Sequence, residues 1–418
     1  MCIELKYPNV LIVNQQSLKK NNATGITLRS LWKEWPRANL MEVYFDEFEP
    51  HLEDDNESIN SFLIPTNFLN RIAHSKRASK LNSNIKWQCH QNKTTIKTKI
   101  RQAIVLGLDL LPVMLPLKIK KKIANFKPDV IYTLGSNVGS LRLAYRLSKV
   151  FDVPILMHYM DNWPECLQWE NNPFCKFYRL ILNHVHKKCL RRCKAGLAIS
   201  SAMSLAYSKK FKIPFFTIMN SVDVDEFHAK PKLQNKPVHF VYAGGLHLNR
   251  WQALRDIGRA LLETDEECIL HIYTSTNNAE MYQDNFPANT VFHSPVSRSG
   301  IIEVYGNADV LVHIERDNPL LHSFFKFSIS TKIPEYLSSG RAILFYGPKN
   351  IALYRYLDEN NAAFVADSYD SLLAAIKAIF DGGTIPQLLI NAERLARTNH
   401  SISLARETLR KASLLSLT

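Results

Sequence analysis

No run of apolar residues in this chain is long enough to cross a membrane. A span needs about 18 to 20 in succession, and the nearest approach, Ile104 to Leu117, is broken by Asp109, Pro112 and Pro116. The charged-then-apolar layout of a secretion leader is also missing, because Met1 to Tyr7 carry Glu4 and Lys6 and lead straight into Val10-Leu11-Ile12-Val13. These two absences predict a soluble protein of the cytoplasm. No C-x-x-C pair occurs among the seven cysteines, and an odd number without that spacing suits a reducing compartment better than a disulfide framework. Cys166, Cys175, Cys189 and Cys193, with His184 and His186 between them, match no structural zinc spacing. Cys189 and Cys193 fall four apart with Val185 on the apolar face of a helix, which reads as packing. There is no internal repeat and no low-complexity run.

What is present is ample for packing. With 418 residues, 46% apolar and 10% aromatic, the chain exceeds one hydrophobic core, and two domains are expected. Short runs rich in β-branched residues alternate with longer amphipathic stretches, the pattern of parallel strands under crossover helices. The runs are Val10 to Val13, Val130 to Thr133, Pro154 to His158, Gly196 to Ile199, Val238 to Tyr242, Ile269 to Tyr273, Val310 to His313 and Ala342 to Phe345. The fold class predicted is α/β, with two Rossmann-like, doubly wound parallel-sheet domains facing a cleft. The boundaries expected are 1–223 for an N-terminal domain, 224–237 for a polar linker carrying Pro231 and Pro237, and 238–395 for a C-terminal domain. Residues 396–418 are expected as a terminal helix packing back on the first domain. The polar tract from Pro50 to about Thr98 reads as a helix with mobile loops.

The formal net charge of +14 calls for an anionic partner: nucleic acid, acidic lipid or a phosphorylated small molecule. Lys118, Lys120, Lys121 and Lys122 follow the apolar Leu110 to Leu117, and Lys187, Lys188, Arg191, Arg192 and Lys194 line a later helix. Basic residues beside apolar ones fit a surface lying on an anionic membrane leaflet, and they equally fit two solvated helix faces. No helix-turn-helix and no aromatic-rich binding sheet accompanies them, so nucleic acid is not an expected partner.

In open parallel sheets, ligands sit outside the carboxyl ends of the strands, so the chemistry is sought in the loops there. Thr24-Gly25-Ile26-Thr27 precedes a helical segment, where Gly25 allows a ligand to approach the backbone or simply makes a turn. Val241-Tyr242-Ala243-Gly244-Gly245-Leu246 ends a strand with paired glycines that permit close approach of a diphosphate, and Arg250 follows with a guanidinium matched to phosphate oxygens. Further on, Ser330 or Thr331 is expected to cap a short helix over Lys332 to Leu337 that Gly340 ends. That arrangement offers a positive helix tip, Lys332 as a second phosphate partner, and Glu335, whose two carboxylate oxygens can take both O–H groups of a vicinal diol. In the first half, His158 and Asp161 lie in Pro154 to Pro164 at a strand end, placed either to orient or deprotonate an acceptor hydroxyl or to form a buried structural pair. Asn220-Ser221 reads as a hinge. No paired carboxylates of DxD type stand at a strand end, so no metal and no other cofactor is expected, and Arg250 and Lys332 would neutralise phosphate in its place.

Glu335-Tyr336-Leu337-Ser338-Ser339-Gly340 followed by a strand resembles the signature of retaining GT-B glycosyltransferases of the C-terminal glutamate-helix group, also called family 4-like or group 1. The resemblance takes in Thr24 to Thr27, Pro128 to Thr133, Pro154 to Pro164, Gly196 to Ser201, Asn220 to Phe227, Val241 to Arg250 and Ala308 to Asp367. It implies a nucleotide-sugar donor with Glu335 on the ribose, Arg250 and Lys332 on the diphosphate, and Val296 and Ser297 reading the base. It further implies a glycan or lipid-linked acceptor, and the Ser-Thr-Lys-x-x-Glu-Tyr-Leu variant resembles enzymes of surface-polysaccharide assembly at the inner membrane face. Two positions depart from the family: Phe327 stands where an earlier glutamate is usual, and Leu246 where the first of two phosphate-binding cations is usual. A GT-B sugar-nucleotide epimerase and a basic nucleic-acid-binding protein are the competing readings.

Overall fold

The computed structural model describes residues 7–19, 23–45, 60–64, 96–166, 173–227, 236–246, 249–265, 267–316 and 322–417. The chain forms two compact units, Met1–Asn220 with Ile402–Thr418, and Ser221–Ser401.

The first unit holds a seven-stranded parallel sheet in the order β3-β2-β1-β4-β5-β6-β7. Its strands are β1 (Val10–Val13), β2 (Leu40–Tyr44), β3 (Asn60–Leu63), β4 (Val130–Leu134), β5 (Ile155–Tyr159), β6 (Gly196–Ala198) and β7 (Phe215–Thr217). β1, β4 and β5 are buried along their whole length, as expected for strands covered on both faces. The helices that cover them are locally specified: Asn137 caps Val138–Phe151 by accepting from Ser140 N, and Ser200 caps Ser201–Phe211 by accepting from Met203 N. The terminal helix Ile402–Leu415 buries Ala405, Leu409 and Ala412 and packs on Ala23–Trp32, β6 and β7.

The second unit holds a six-stranded parallel sheet, β10-β9-β8-β11-β12-β13. Here β8 is Val238–Ala243, β9 Cys268–Tyr273, β10 Thr290–His293, β11 Val310–Ile314, β12 Ala342–Tyr346 and β13 Phe364–Ala366. Phe240, Tyr242, Leu270, Ile272, Val312 and Leu344 share one core with Leu254, Ile257, Leu261 and Ile376 from covering helices.

Several boundaries differ from those expected. Val224–Phe227, placed in a linker from sequence, form a 3-10 turn that buries Val224 and Phe227 and packs against helices Arg298–Asn307 and Ile333–Ser338 of the second unit. The chain passes between units at Asn220 and Ser221, and residues 228–235 lie outside the described residues. Residues 396–401 belong to the second unit, most of them inside helix Ile385–Asn399. Of the polar tract 50–98, only 60–64 and 96–98 are described, and the first of these adds the edge strand β3.

β2 escaped the sequence pattern because its centre is charged. Glu42 is fully buried, its oxygens taking Leu18 N at 2.7 Å and the hydroxyls of Ser17 and Ser61 at 3.0 Å each. Burial pushes its carboxyl up to about 7, against those three hydrogen bonds. The folded state therefore keeps a proton that an unfolded carboxyl gives up near 4.5, so stability contributed here is complete below that pH and lost as pH rises through 7. Glu42→Gln, a mimic of the neutral acid, is expected to leave the melting temperature unchanged at pH 4 and raise it by a few degrees at pH 8. Thermal unfolding at both pH values measures the difference.

Candidate functional site

The strand order of the second sheet reverses between β8 and β11: β9 and β10 lie to one side, β12 and β13 to the other. At such a switch point the loops leaving adjacent strand ends turn apart and open a crevice. Gly244 and Gly245 follow β8, and Glu315 follows β11. Beyond the glycines, Leu246 is fully buried in the core, which explains why no cation occupies that position. Asn249, with φ 61°, then turns the chain into helix Arg250–Thr264.

That turn sends the Arg250 side chain back across the strand ends. Its Nη2 donates to both oxygens of Glu315, at 2.9 and 3.1 Å, with the two side chains only 17% and 7% exposed. Burial is the largest influence on both and opposes both charges, but the partners together outweigh it: Glu315 with Tyr242 holds Arg250 above the usual arginine range, and Arg250 with His313 holds Glu315 below the usual carboxylate range. His313, one pleat earlier on β11, places Nε2 3.6 Å from Glu315, and burial drives its pKa down.

Lys332 arrives from the other side. Its Nζ lies 4.9 Å from the centroid of the Tyr242 ring, and it presses so closely on Gly244 that an added Cβ would stand 2.1 Å from it. The missing side chain of Gly244 is thus the space the ammonium fills. Burial and the nearby Arg250 push Lys332 down to about 7, against the pull of Glu315 and Glu335. Glu335, one turn along, is 9% exposed and accepts from the Tyr305 hydroxyl at 3.4 Å. Two cations, two carboxylates and a bare backbone segment converge at the crevice, an arrangement that can take a diphosphate beside a diol.

The remaining donor-side residues are placed less simply. The short helix runs Ile333–Ser338, and neither Ser330 nor Thr331 caps it; Lys332 holds that position without a side-chain cap. Gly340 ends it with φ 66°. Val296 and Ser297 lie exposed in the loop after β10, where the Ser297 hydroxyl caps Arg298–Asn307 by accepting from Gly300 N at 3.2 Å.

In the first unit, His158 is a core histidine and not a loop residue. It is fully buried within β5, its Nδ1 2.7 Å from the Tyr132 hydroxyl, and burial takes its pKa down to about 3. Asp161 lies in the bend after β5, half-buried, its carbonyl accepting from Trp163 N at 2.7 Å. Thr24, Gly25 and Thr27 fall inside helix Ala23–Trp32, not before it, and the Thr27 hydroxyl is spent on Asn220 Oδ1 at 2.9 Å. Cys189 and Cys193 are buried with their thiols raised by burial, as packing requires. Arg192 is structural: it donates to the Ser148 carbonyl and hydroxyl and to Asp152, closing the end of Val138–Phe151. Glu315 and His313 are the site residues that sequence reasoning missed; the signal was a histidine and a glutamate closing an otherwise apolar strand, His313-Ile314-Glu315.

Two Rossmann-like parallel-sheet units in one chain, the second with a cation-lined crossover, make this a GT-B fold. Among solved structures with that fold, Anabaena HepE in complex with UDP-glucose superposes with a TM-score of 0.60 at 12% identity, covering 97% of this chain and 99% of that one. Sucrose-phosphate synthase from Thermosynechococcus elongatus gives 0.62 at 12% identity over 97% and 98%. WaaG, a glycosyltransferase involved in lipopolysaccharide biosynthesis, gives 0.55 at 12% identity over 97% and 99%. No family model matches the sequence and no curated protein matches it, so the likeness is one of fold.

The depressed pKa of Lys332 has a consequence for stability. Between about 7 and 10.5 the unfolded chain binds a proton that the folded one releases, so the cost of this lysine is full below pH 7 and gone by 10.5. Lys332→Met is expected to raise the melting temperature at pH 6.5, by about 3 °C for each kcal/mol of desolvation relieved, and to have no effect near pH 10.5. Calorimetry across that range measures it.

Proposed function

We propose that the chain is a glycosyltransferase that takes a sugar from a nucleotide-sugar donor and passes it to a hydroxyl of a glycan or lipid-linked acceptor. The pairing of Lys332, packed on Gly244, with the nearby Arg250 at the crossover of the second sheet carries the reading. A nucleoside diphosphate is the leaving group such a site suits. Breaking the bond between the anomeric carbon and the diphosphate leaves negative charge on the phosphate oxygens, and buried cations stabilise that charge more strongly than water does. Glu335 lies where it can clasp the ribose diol, and the loop at Val296 and Ser297 offers backbone groups to the base. Of the neighbours with this fold, HepE is a complex with UDP-glucose, which supports a uridine nucleotide as the first to try.

The finer points of the reading follow from the glutamate-helix resemblance: retention of anomeric configuration, charge neutralisation by Arg250 and Lys332 without a metal ion, and a place in surface-polysaccharide assembly. Asp161 is the acceptor-side candidate, since His158 is sealed in the core. Arg250→Ala and Glu335→Ala are each expected to weaken UDP binding at least tenfold in isothermal titration calorimetry, while circular dichroism stays native. Unchanged affinity in both variants defeats the site assignment.

We further propose a cytoplasmic protein lying on an anionic membrane surface through its first unit. No single helix among the described residues is long and apolar enough to cross a membrane. Helix Leu117–Phe126 instead buries Ile119 and Ile123 and turns Lys118, Lys120, Lys121 and Lys122 outward, beside Leu117 at 77% and Met114 at 73% exposure. Such a surface gains apolar contact from the leucine and methionine and about 1 kcal/mol from each lysine near charged headgroups. Sedimentation with vesicles containing phosphatidylglycerol at low salt is expected to pellet the protein, with release as salt rises and no pelleting on phosphatidylcholine alone. Leu117→Glu should weaken the association several-fold; indifference to both salt and this substitution overturns the proposal.

A further inference from the structure

Glu315 is the ion-pair partner of Arg250, and its role depends on which guanidinium donors it uses. A carboxylate that competes with phosphate would take the guanidinium as a fork, through two nitrogens, the strongest geometry available to the pair. Glu315 does not. Both of its oxygens are served by the single nitrogen Nη2, and the buried Nε–H has no hydrogen-bond partner. A guanidinium has five N–H donors; Glu315 holds one corner, the Tyr242 hydroxyl also engages the group, and the Nε–H edge is left over. Glu315 is itself held from behind: it directly follows β11, a strand at the centre of the sheet, its N–H donates to Tyr346 O at 3.1 Å, and His313 Nε2 lies 3.6 Å from its carboxylate.

We propose that Glu315 is a positioning residue of the diphosphate site: it grips Arg250 by Nη2 so that the remaining edge of the guanidinium is presented to the phosphates alongside Lys332. The inference rests on the donor-site reading above and adds to it the group that aims the arginine. Glu315 touches neither phosphate nor sugar in this arrangement and acts through Arg250 alone.

The sign of one measurement separates positioning from simple electrostatics. Removing a negative charge next to an anion site should tighten anion binding if Glu315 is only a counter-charge. If it aims Arg250, Glu315→Gln should weaken UDP binding about tenfold by isothermal titration calorimetry, although the charge has gone. In an Arg250→Ala background the same substitution should no longer weaken UDP binding, because the residue through which Glu315 acts is absent. Glu315→Asp keeps the charge but retracts it by one methylene, and should lose affinity as Glu315→Gln does. Tighter UDP binding by Glu315→Gln overturns the inference, as does equal weakening in both backgrounds or full affinity in Glu315→Asp. Wild-type protein that binds no UDP defeats the donor-site reading and this inference with it, whereas wild-type binding that Arg250→Ala abolishes and Glu315→Gln leaves intact defeats the inference alone.

Discussion

The second unit is organised around the cost of keeping two cations out of water in one crevice. Arg250 meets that cost with a direct ion pair, since Glu315 supplies both oxygens within hydrogen-bond reach. Lys332 has no such contact: burial and the nearby Arg250 take its pKa down to about 7, against the through-space pull of Glu315 and Glu335. On the proposed reading, a diphosphate arriving at this site would supply the missing charge and draw a proton onto the lysine. The surrounding structure serves that arrangement. Gly244 yields the volume of a side chain to the ammonium, Tyr242 places its ring beneath it, and the core around Leu246 and Leu254 fixes the helix from which Arg250 turns back.

Much of this scaffold was legible in the sequence because parallel strands buried on both faces leave a simple trace. β1, β4, β5, β8, β9, β11 and β12 are short, mostly apolar runs, several broken by a single histidine or threonine, and each is found within a residue or two of the segment read from pattern alone. Gly244-Gly245 before Arg250 was legible for a similar reason: glycines at a strand end are needed only where something approaches the backbone closely. The residues that were not legible are those whose role depends on a distant partner. Glu315 meets Arg250 across 65 positions, and Thr27 meets Asn220 across 193, so no local spacing betrays either contact. His158 misled in the opposite direction. It ends an apolar strand, as an active-site residue would, but Tyr132 takes its Nδ1, with Trp32 packed edge-on against that tyrosine, and the ring is enclosed. β2 was lost because Glu42 breaks its apolar run, while in the fold that same carboxyl ties Ser17, Leu18 and Ser61 together.

The two sheets share a strand-order reversal, and their switch points differ in chemistry in a way that assigns the anion to one of them. In the first unit the reversal falls between β1 and β4. There the edge is stitched by neutral groups, with Asn14 Oδ1 accepting from Leu134 N at 2.9 Å and the Thr133 hydroxyl donating to Val13 O at 2.7 Å. The helix that follows β4, Val138–Phe151, would offer its first amides to a phosphate, as helix N-termini do. They are already taken: Asp109 accepts from Val138 N at 2.9 Å and Gly139 N at 3.1 Å, and it also receives the Tyr178 hydroxyl at 2.6 Å. A carboxyl of the protein's own, its pKa raised by burial, occupies the place a phosphate would need. The second unit has the reverse arrangement, with the Lys332 ammonium packed on the Gly244 turn and Arg250 nearby. The contrast with the first crossover, where an acidic side chain of the chain already holds the helix amides, thus supports the proposed anion site at the second.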